Sequence, residues 1–169
     1  RVWIDNTAAL HRVVERVRAV LDLRADSAAI ELAFESSPQL SALCSRFPGT
    51  RVPGCWSGFE VAVRAILGQQ VSVKAASTLV ARVAERFGEA YSSDMQGIDF
   101  IFPEPSAFAE KNLDGLGIVQ TRIAAINEVA RRLVDGRLDF QRAGQLDEFI
   151  AQLCEVKGIG EWTANYVAM

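Results

Sequence analysis

Hydrophobic residues recur at steps of three and four along most of the chain, the spacing that places side chains on one face of an α-helix. Four such stripes predict four helices: Leu10, Val13, Val14, Val17 and Leu21; Ala76, Val80, Val83 and Phe87; Ile123, Ile126, Ala130 and Leu133; and Leu146, Phe149, Ile150 and Leu153. Ser72 is expected to cap the start of the second helix, and Gly88 and Gly136 to end the second and third. The alternation of apolar and polar residues that is typical of a β-strand is found almost only at Val2–Ile4, and this segment is too short to form a sheet alone. The pattern therefore predicts an all-α fold with at most a vestigial N-terminal strand.

Two segments rich in turn residues interrupt the helical pattern. Residues 47–54 contain two Pro-Gly pairs and predict a connector. Residues 88–105 predict a longer loop, in which Phe100, Ile101 and Phe102 are expected to pack against the helices.

Composition describes a folded chain with a mild excess of acidic residues. Of its 169 residues, 50% are hydrophobic and 23% are charged, enough to bury a core and exclude wholesale disorder. No apolar run approaches the ~20 residues that a membrane-spanning helix needs. The net charge of −3 counts against a broad contact with nucleic-acid phosphates, although a local patch is compatible with it. Cys44, Cys55 and Cys154 are odd in number and lack CxxC spacing, which is typical of a reducing compartment.

The segment from Leu153 to Met169 is the most informative. A short helix is expected to end near Cys154, and Gly158 and Gly160 flank the apolar Ile159 before a second helix. Glycines at this spacing allow a tight turn that exposes backbone N–H groups at the start of the next helix, where they attract a phosphate without any lysine or arginine. The alternative is a plain corner between two helices, in which the glycines only relieve steric crowding.

Several further segments are informative when they are taken together with the hairpin and in their order along the chain. They are Arg51-Val52-Pro53-Gly54, Gly58-Phe59-Glu60, Arg64 to Val73 followed by Ala75-Ala76, and Leu116-Gly117 with the helix after it. Together with the hairpin, they make the chain resemble the helix-hairpin-helix DNA glycosylases, in the branch that removes alkylated bases. The resemblance covers roughly residues 10–169 and implies a single helical core over residues 1–169, in two lobes, with the hairpin at about residues 153–166.

The resemblance also implies an activity. Members of this branch flip an alkylated purine, such as 3-methyladenine or 7-methylguanine, out of double-stranded DNA and hydrolyse its N-glycosidic bond in base-excision repair. The chain would then act on bacterial DNA in the cytoplasm, as a monomer and away from membranes. No cofactor is required, and three scattered cysteines cannot hold a four-cysteine iron–sulfur cluster in this segment.

The same resemblance implies roles for individual residues of the hairpin. The backbone N–H groups of Gly158 and Gly160, with Thr163, match the phosphate clamp of the family. The carbonyl groups of Cys154, Val156 and Ile159 match those that hold a monovalent cation beside that phosphate. The thiol of Cys154 is expected to lie in the core.

Gln69 and Gln70 match the position where the family inserts a wedge into the gap left by the flipped base. Gln70 is the expected wedge, and a glutamine there can also hydrogen-bond to the orphaned partner base. The alternative is that both glutamines simply cap the helix before them.

Trp162 bears on the reaction type. Glycosylases of the family that also cut the DNA backbone have a lysine at this position, which forms a Schiff base with the sugar; a tryptophan implies hydrolysis alone. Trp162 and Tyr166 are expected to line the pocket, where an aromatic face attracts a positively charged base. The alternative is that both rings are core residues that dock the hairpin.

The resemblance places the catalytic aspartate shortly beyond Met169, so no catalytic residue is expected within the chain. The N-terminal sheet domain and the C-terminal catalytic loop would also be missing, which makes the chain an inactive fragment of an enzyme. Two other readings stay open: a non-catalytic helix-hairpin-helix DNA-binding module, and the core of a fusion with an alkylation-response regulator.

Overall fold

Helices make up nearly all the regular structure in the part of the chain that the computed structural model describes, residues 6–109, 113–140 and 146–169. The all-α prediction is therefore confirmed. The predicted strand Val2–Ile4 lies outside the described residues. The chain divides into two units, residues 1–56 and residues 57–169.

The first unit consists of short helices. After a single 3-10 turn, Thr7–Ala9, come α1 (Leu10–Val20), α2 (Ser27–Phe34) and α3 (Pro38–Arg46). The side chain of Asp26 accepts hydrogen bonds from the first N–H groups of α2, and Pro38 opens α3 with a backbone angle suited to a helix. The apolar stripe predicted α1, whereas α2 and α3 were not predicted.

The predicted connector at residues 47–54 has no regular secondary structure, as expected. The guanidinium group of Arg51 anchors it, donating hydrogen bonds to the carbonyl oxygens of Asp22 and Ala25, the latter at 3.0 Å. The connector is thereby held against the loop that follows α1.

The second unit is built around one central helix. Its elements are α4 (Gly58–Gly68), α5 (Val73–Phe87), β1 (Glu89–Ala90), β2 (Phe100–Ile101), α6 (Ser106–Ala109), α7 (Gln120–Val134), α8 (Leu146–Cys154) and α9 (Glu161–Ala168). Helix α4 packs against α5, α7 and α9, while α8 packs against α9. Ala62, Val63 and Leu67 of α4 are fully buried in the core. The end of α4 is consequently fixed with respect to both α7 and the last helix.

Capping residues set both bounds of α5 and the end of α7 as predicted, whereas the start of α7 at Gln120, which has no side-chain cap, was not predicted. The hydroxyl of Ser72 accepts a hydrogen bond from the N–H of Ala75 at 3.2 Å, and Gly88 is the C-cap of α5. Gly136 has a φ of +69° and its N–H bonds to the carbonyl of Leu133 at 3.2 Å, which ends α7.

The predicted loop at residues 88–105 contains a two-stranded ribbon that was not predicted. Glu89 pairs with Ile101 and Ala90 with Phe100 in antiparallel register. Phe100 and Ile101 were expected to pack against the helices, but both are exposed, at 38% and 49%, so neither belongs to the core. Phe102 does pack as predicted, with its ring centroid 6.4 Å from that of Phe59.

Arg132 ties α7 to the first helix of the hairpin. Its guanidinium donates hydrogen bonds to the carboxylate of Glu128 at 2.9 Å, the carbonyl of Gln152 at 3.0 Å and the carboxylate of Glu155 at 2.8 Å. The hydrogen bond from Arg132 is the main reason that the pKa of Glu128 lies below its ordinary value. A carboxylate whose pKa is lowered in the folded state stabilises that state only while it is ionised.

We expect Glu128→Gln to lower the free energy of unfolding by about 1 kcal/mol at neutral pH, since the charge that strengthens the hydrogen bonds from Arg131 and Arg132 is lost. The difference from wild type should shrink as the pH falls below 4.5, the ordinary carboxyl value, and through the lower folded pKa of Glu128. Urea unfolding over a pH series measures this. The matched control is Glu104→Gln at an exposed position, and an equal loss of stability at acidic pH would contradict the prediction.

Candidate nucleic-acid interface

The hairpin connects α8 to α9 through a turn built on buried apolar residues. Leu153, Val156 and Ile159 are at most 5% exposed. The N–H of Val156 bonds to the carbonyl of Leu153 at 3.1 Å, and the N–H of Ile159 to that of Val156 at 2.9 Å. Gly158 has a φ of +99°, a conformation that side chains rarely adopt. The predicted tight turn with a buried residue between its glycines is confirmed.

The start of α9 offers backbone donors to an open space. Gly160 is the N-cap of α9 and has no side chain to occupy the first N–H groups of the helix. A Cβ atom built on Gly160 would have no other atom within 4 Å. Unbonded N–H groups and the positive end of the helix dipole can therefore hold an anion there.

Thr163 lies in the first turn of α9, but its side chain faces inward. The residue is only 5% exposed, and its Oγ1 accepts a hydrogen bond from Nε2 of Gln69 at 3.2 Å. Any contact between Thr163 and a phosphate would consequently use its backbone N–H. Its role in a phosphate clamp stays a prediction.

The two glutamines after α4 differ in their surroundings. Gln69 is the C-cap residue of α4, with its backbone N–H bonded to the carbonyl of Ile66, as the capping alternative expects. Its side chain is bonded to the hairpin instead, since Nε2 also donates to the carbonyl of Gly158 at 2.9 Å. Gln70 is exposed and has a φ of +52°, one of two positive values among the described residues other than glycine. The arrangement presents Gln70 and not Gln69 to the solvent, and the wedge role of Gln70 stays a prediction.

Sequence reasoning missed Arg122 as part of this region. Its guanidinium donates a hydrogen bond to the backbone carbonyl of Gln69. The two residues are 53 positions apart, and an arginine in the first turn of a helix has no local pattern that marks it. The one available signal was that the resemblance included the helix after Leu116-Gly117.

Trp162 and Tyr166 form a parallel aromatic pair on the surface of α9. Their ring centroids are 5.6 Å apart with 9° between the planes, and the residues are 74% and 46% exposed. They line a cleft of about 490 Å³ with Leu146, Ile150, Asn165, Ala168 and Met169. In this chain neither ring is part of the core, and their role in a base pocket stays a prediction. A flat face of this kind can stack against a planar ligand.

The three carbonyl groups matched to a cation site are those of Cys154, at the end of α8, and of Val156 and Ile159 in the loop that follows. The Val156 carbonyl accepts one hydrogen bond from Ile159, and an oxygen with two lone pairs can bind a second partner. Neutral oxygen donors fit a monovalent cation better than a transition metal. Among the described residues, no group of three His, Cys, Asp or Glu side chains could hold a metal ion.

The expectation that the thiol of Cys154 lies in the core is wrong. Cys154 is exposed, because it is the last residue of α8 while its neighbour Leu153 turns to the core. Across the described part of the chain, no helix is long and apolar enough to cross a membrane.

Comparison with protein families identifies the class. Residues 63–162 match the HhH-GPD superfamily of base excision DNA repair proteins, and residues 1–57 match the AlkA N-terminal domain. The first match covers α5 to α8 entirely and reaches the start of α9. The chain belongs to the HhH-GPD superfamily.

Individual relatives are similar over most of this chain. A DNA-3-methyladenine glycosylase 2 from Escherichia coli is 40% identical over 131 residues, covering 77% of this chain and 46% of the relative. A probable bifunctional transcriptional activator/DNA repair enzyme AlkA from Mycobacterium tuberculosis is 34% identical over 166 residues, covering 98% of this chain and 34% of the relative. The chain thus spans a third to a half of the length of these curated relatives.

A solved structure shows the same fold. The 3-methyladenine DNA-glycosylase from Archaeoglobus fulgidus superposes with a TM-score of 0.77 at 26% identity, covering 97% of this chain and 57% of that chain.

We expect Gly158→Ser to lower the free energy of unfolding by about 1–3 kcal/mol, because a side chain at its positive φ is strained. A steric clash is not the cause of this loss, since the atom nearest to a Cβ built at Gly158 is the Cβ of Ala125, at 3.6 Å. The matched control is Gly160→Ser, whose φ of −91° suits any residue and whose new hydroxyl can cap α9. Urea unfolding compares the two, and equal losses would contradict the strain argument.

Proposed function

We propose that the chain is the helical core of a monofunctional DNA glycosylase, which flips alkylated purines out of double-stranded DNA and hydrolyses their N-glycosidic bond. The observation that carries this proposal is the exposed, parallel Trp162–Tyr166 pair on α9, the same helix whose N-terminus offers the anion site. One short helix thereby provides a surface for a base and donors for the DNA backbone.

The aromatic pair suits a cationic base. A purine methylated at N3 or N7 carries a positive charge, and a cation over an aromatic face gains about 0.5–2 kcal/mol. The cleft of about 490 Å³ beside the rings is large enough for a single base. The same positive charge makes the base a good leaving group, so no strong general acid is needed.

The hairpin would hold the DNA with few positive side chains. The N–H groups of Gly158, Gly160 and Thr163 would bind one phosphate, and the carbonyls of Cys154, Val156 and Ile159 would hold a monovalent cation beside it. That cation would supply the charge neutralisation that a chain of net charge −3 lacks. Gln70 would fill the gap left by the flipped base.

The chemistry that follows from these residues is hydrolysis. A tryptophan cannot form a Schiff base, so position 162 lacks the amine that the strand-cleaving members of the family have there. The carboxylate that stabilises the positively charged sugar and assists the attacking water is expected beyond Met169. We place the activity in the cytoplasm, on the bacterial chromosome, and expect a monomer.

The experiment measures release of 3-methyladenine and 7-methylguanine from methylated duplex DNA, by this chain and by the gene-extended protein. We expect the extended protein to release both bases and this chain alone to release neither. Release by this chain would overturn the expected position of the carboxylate. Failure of both proteins would favour a non-catalytic DNA-binding module.

A second candidate has one observation in its favour. The M. tuberculosis relative, similar to this chain over 166 residues, is named as a transcriptional activator as well as a repair enzyme. A parent protein with an additional DNA-reading region would make this core one part of an alkylation-response regulator. Induction of a reporter gene by methylating agents, dependent on the parent protein, would distinguish that case.

We expect Trp162→Ala to lower kcat/KM for release of 3-methyladenine by the extended protein about tenfold, which corresponds to the loss of one cation–π contact. The control is Trp56→Ala, which removes another exposed tryptophan, located in the first unit. Because the rate depends on base charge, release of an uncharged base such as hypoxanthine should fall less. An equal fall for both bases would indicate that Trp162 only shapes the cleft.

A further inference from the structure

We infer that Gln69 is a positioning residue that fixes the distance between the wedge residue Gln70 and the hairpin. The inference rests on the proposed function, since it concerns how two DNA-contacting parts act together. Gln69 immediately precedes Gln70 and bonds to two hairpin residues that lie 89 and 94 positions later in the chain.

The side chain of Gln69 has no donor left for DNA. Its amide carries two N–H groups, and the structure directs both to the hairpin, at 2.9 Å from the Gly158 carbonyl and 3.2 Å from Thr163 Oγ1. The Gly158 carbonyl can only accept, so the amide nitrogen and not the oxygen must face it. What remains is an acceptor oxygen, which a phosphate cannot bond to. Gln69 therefore acts through the hairpin and not by touching the DNA backbone.

The backbone of Gln69 is held from a second direction. Arg122 donates a hydrogen bond to its carbonyl oxygen, which belongs to the peptide group that joins Gln69 to Gln70. A bond from a guanidinium group is stronger than one between neutral partners. The orientation of this peptide plane is thus set by α7.

The conformation of Gln70 needs that support. Its φ of +52° is the torsion next to the fixed peptide group, and this left-handed conformation is unfavourable for a residue other than glycine. Such a conformation persists only where the surroundings determine it. The hairpin bonds of Gln69 and the bond from Arg122 together determine where Gln70 projects.

One residue thus joins the end of α4, the start of α7 and the hairpin. If the hairpin grips a phosphate, the wedge enters the base stack at a fixed spacing from it. Without the Gln69 bonds, the hairpin would still reach the phosphate, but Gln70 would no longer be held in the position for insertion.

The test uses the 169-residue chain and two readings on DNA. The affinity for an undamaged duplex measures how tightly the hairpin binds the DNA phosphate. The fluorescence of 2-aminopurine beside an abasic site, at saturating protein, reports insertion into the stack. For Gln69→Leu we expect an affinity within twofold of wild type and a fluorescence change at least fivefold smaller. Gln152→Leu is the matched control, a glutamine of α8 with a 3.4 Å hydrogen bond to Glu148, and should change neither reading.

Arg122→Gln should likewise leave the affinity nearly unchanged and reduce the fluorescence change. Circular dichroism checks that each variant is folded. If Gln69→Leu does not fold, Arg122→Gln still tests the inference. Weaker binding with an unchanged fluorescence amplitude at saturation would mean that Gln69 only stabilises the hairpin, and would overturn the inference. Wild-type readings in both variants would also overturn it. A wild-type chain that neither binds DNA nor changes the fluorescence overturns the proposed function, and this inference with it.

Discussion

The packing of α4 in the middle of the second unit is the constraint on which the other features depend. Its buried side chains contact α5, α7 and α9 at once, so these helices share one core. Because protein interiors are closely packed, one of these helices cannot shift without displacing the others. Because α4 ends at Gly68, the residues just after it emerge at a place already fixed relative to the hairpin. The polar contacts of Gln69 refine an arrangement that apolar burial establishes.

Guanidinium groups that donate to backbone carbonyls recur at the points where loops need to be held. Arg51 does so for the connector, Arg122 for the residues after α4 and Arg132 for the end of α8. In each case a long, forked side chain reaches carbonyl groups that no regular helix or sheet satisfies. Fifteen of the 18 basic residues are arginine, and several of them thus stabilise the fold.

The sequence was most informative where local patterns determine structure. Both ends of α5 and the end of α7 were predicted, because caps such as Ser72, Gly88 and Gly136 act within one turn. The start of α7 has no side-chain cap and was not predicted. The hairpin was predicted for the same reason. Helix α2 was missed because its apolar residues do not form a narrow stripe, and the β-ribbon because two paired residues leave no periodic signal.

Long-range contacts could not be predicted in this way. The bond from Gln69 to Gly158 and the bond from Arg122 to Gln69 depend on how α4, α7 and the hairpin pack together. The exposure of Cys154 likewise depends on which side of α8 meets the core. The resemblance grouped Gln69, Gln70 and the hairpin, and the structure brings the side chain of Gln69 into contact with the hairpin. The resemblance did not show that Gln69 faces the protein while Gln70 faces the solvent.

The parallel arrangement of Trp162 and Tyr166 follows from their separation by four residues on α9, so it exists once that helix has formed. If two large side chains became ordered only when a ligand binds, the loss of conformational entropy would weaken binding. Here the two rings already pack together in the folded protein, so most of that entropy is lost during folding. A planar ligand would then meet two rings that already stack on each other in the folded chain. If the proposed function holds, association at this surface would therefore be limited by how often a base leaves the duplex, and not by rearrangement of these two side chains.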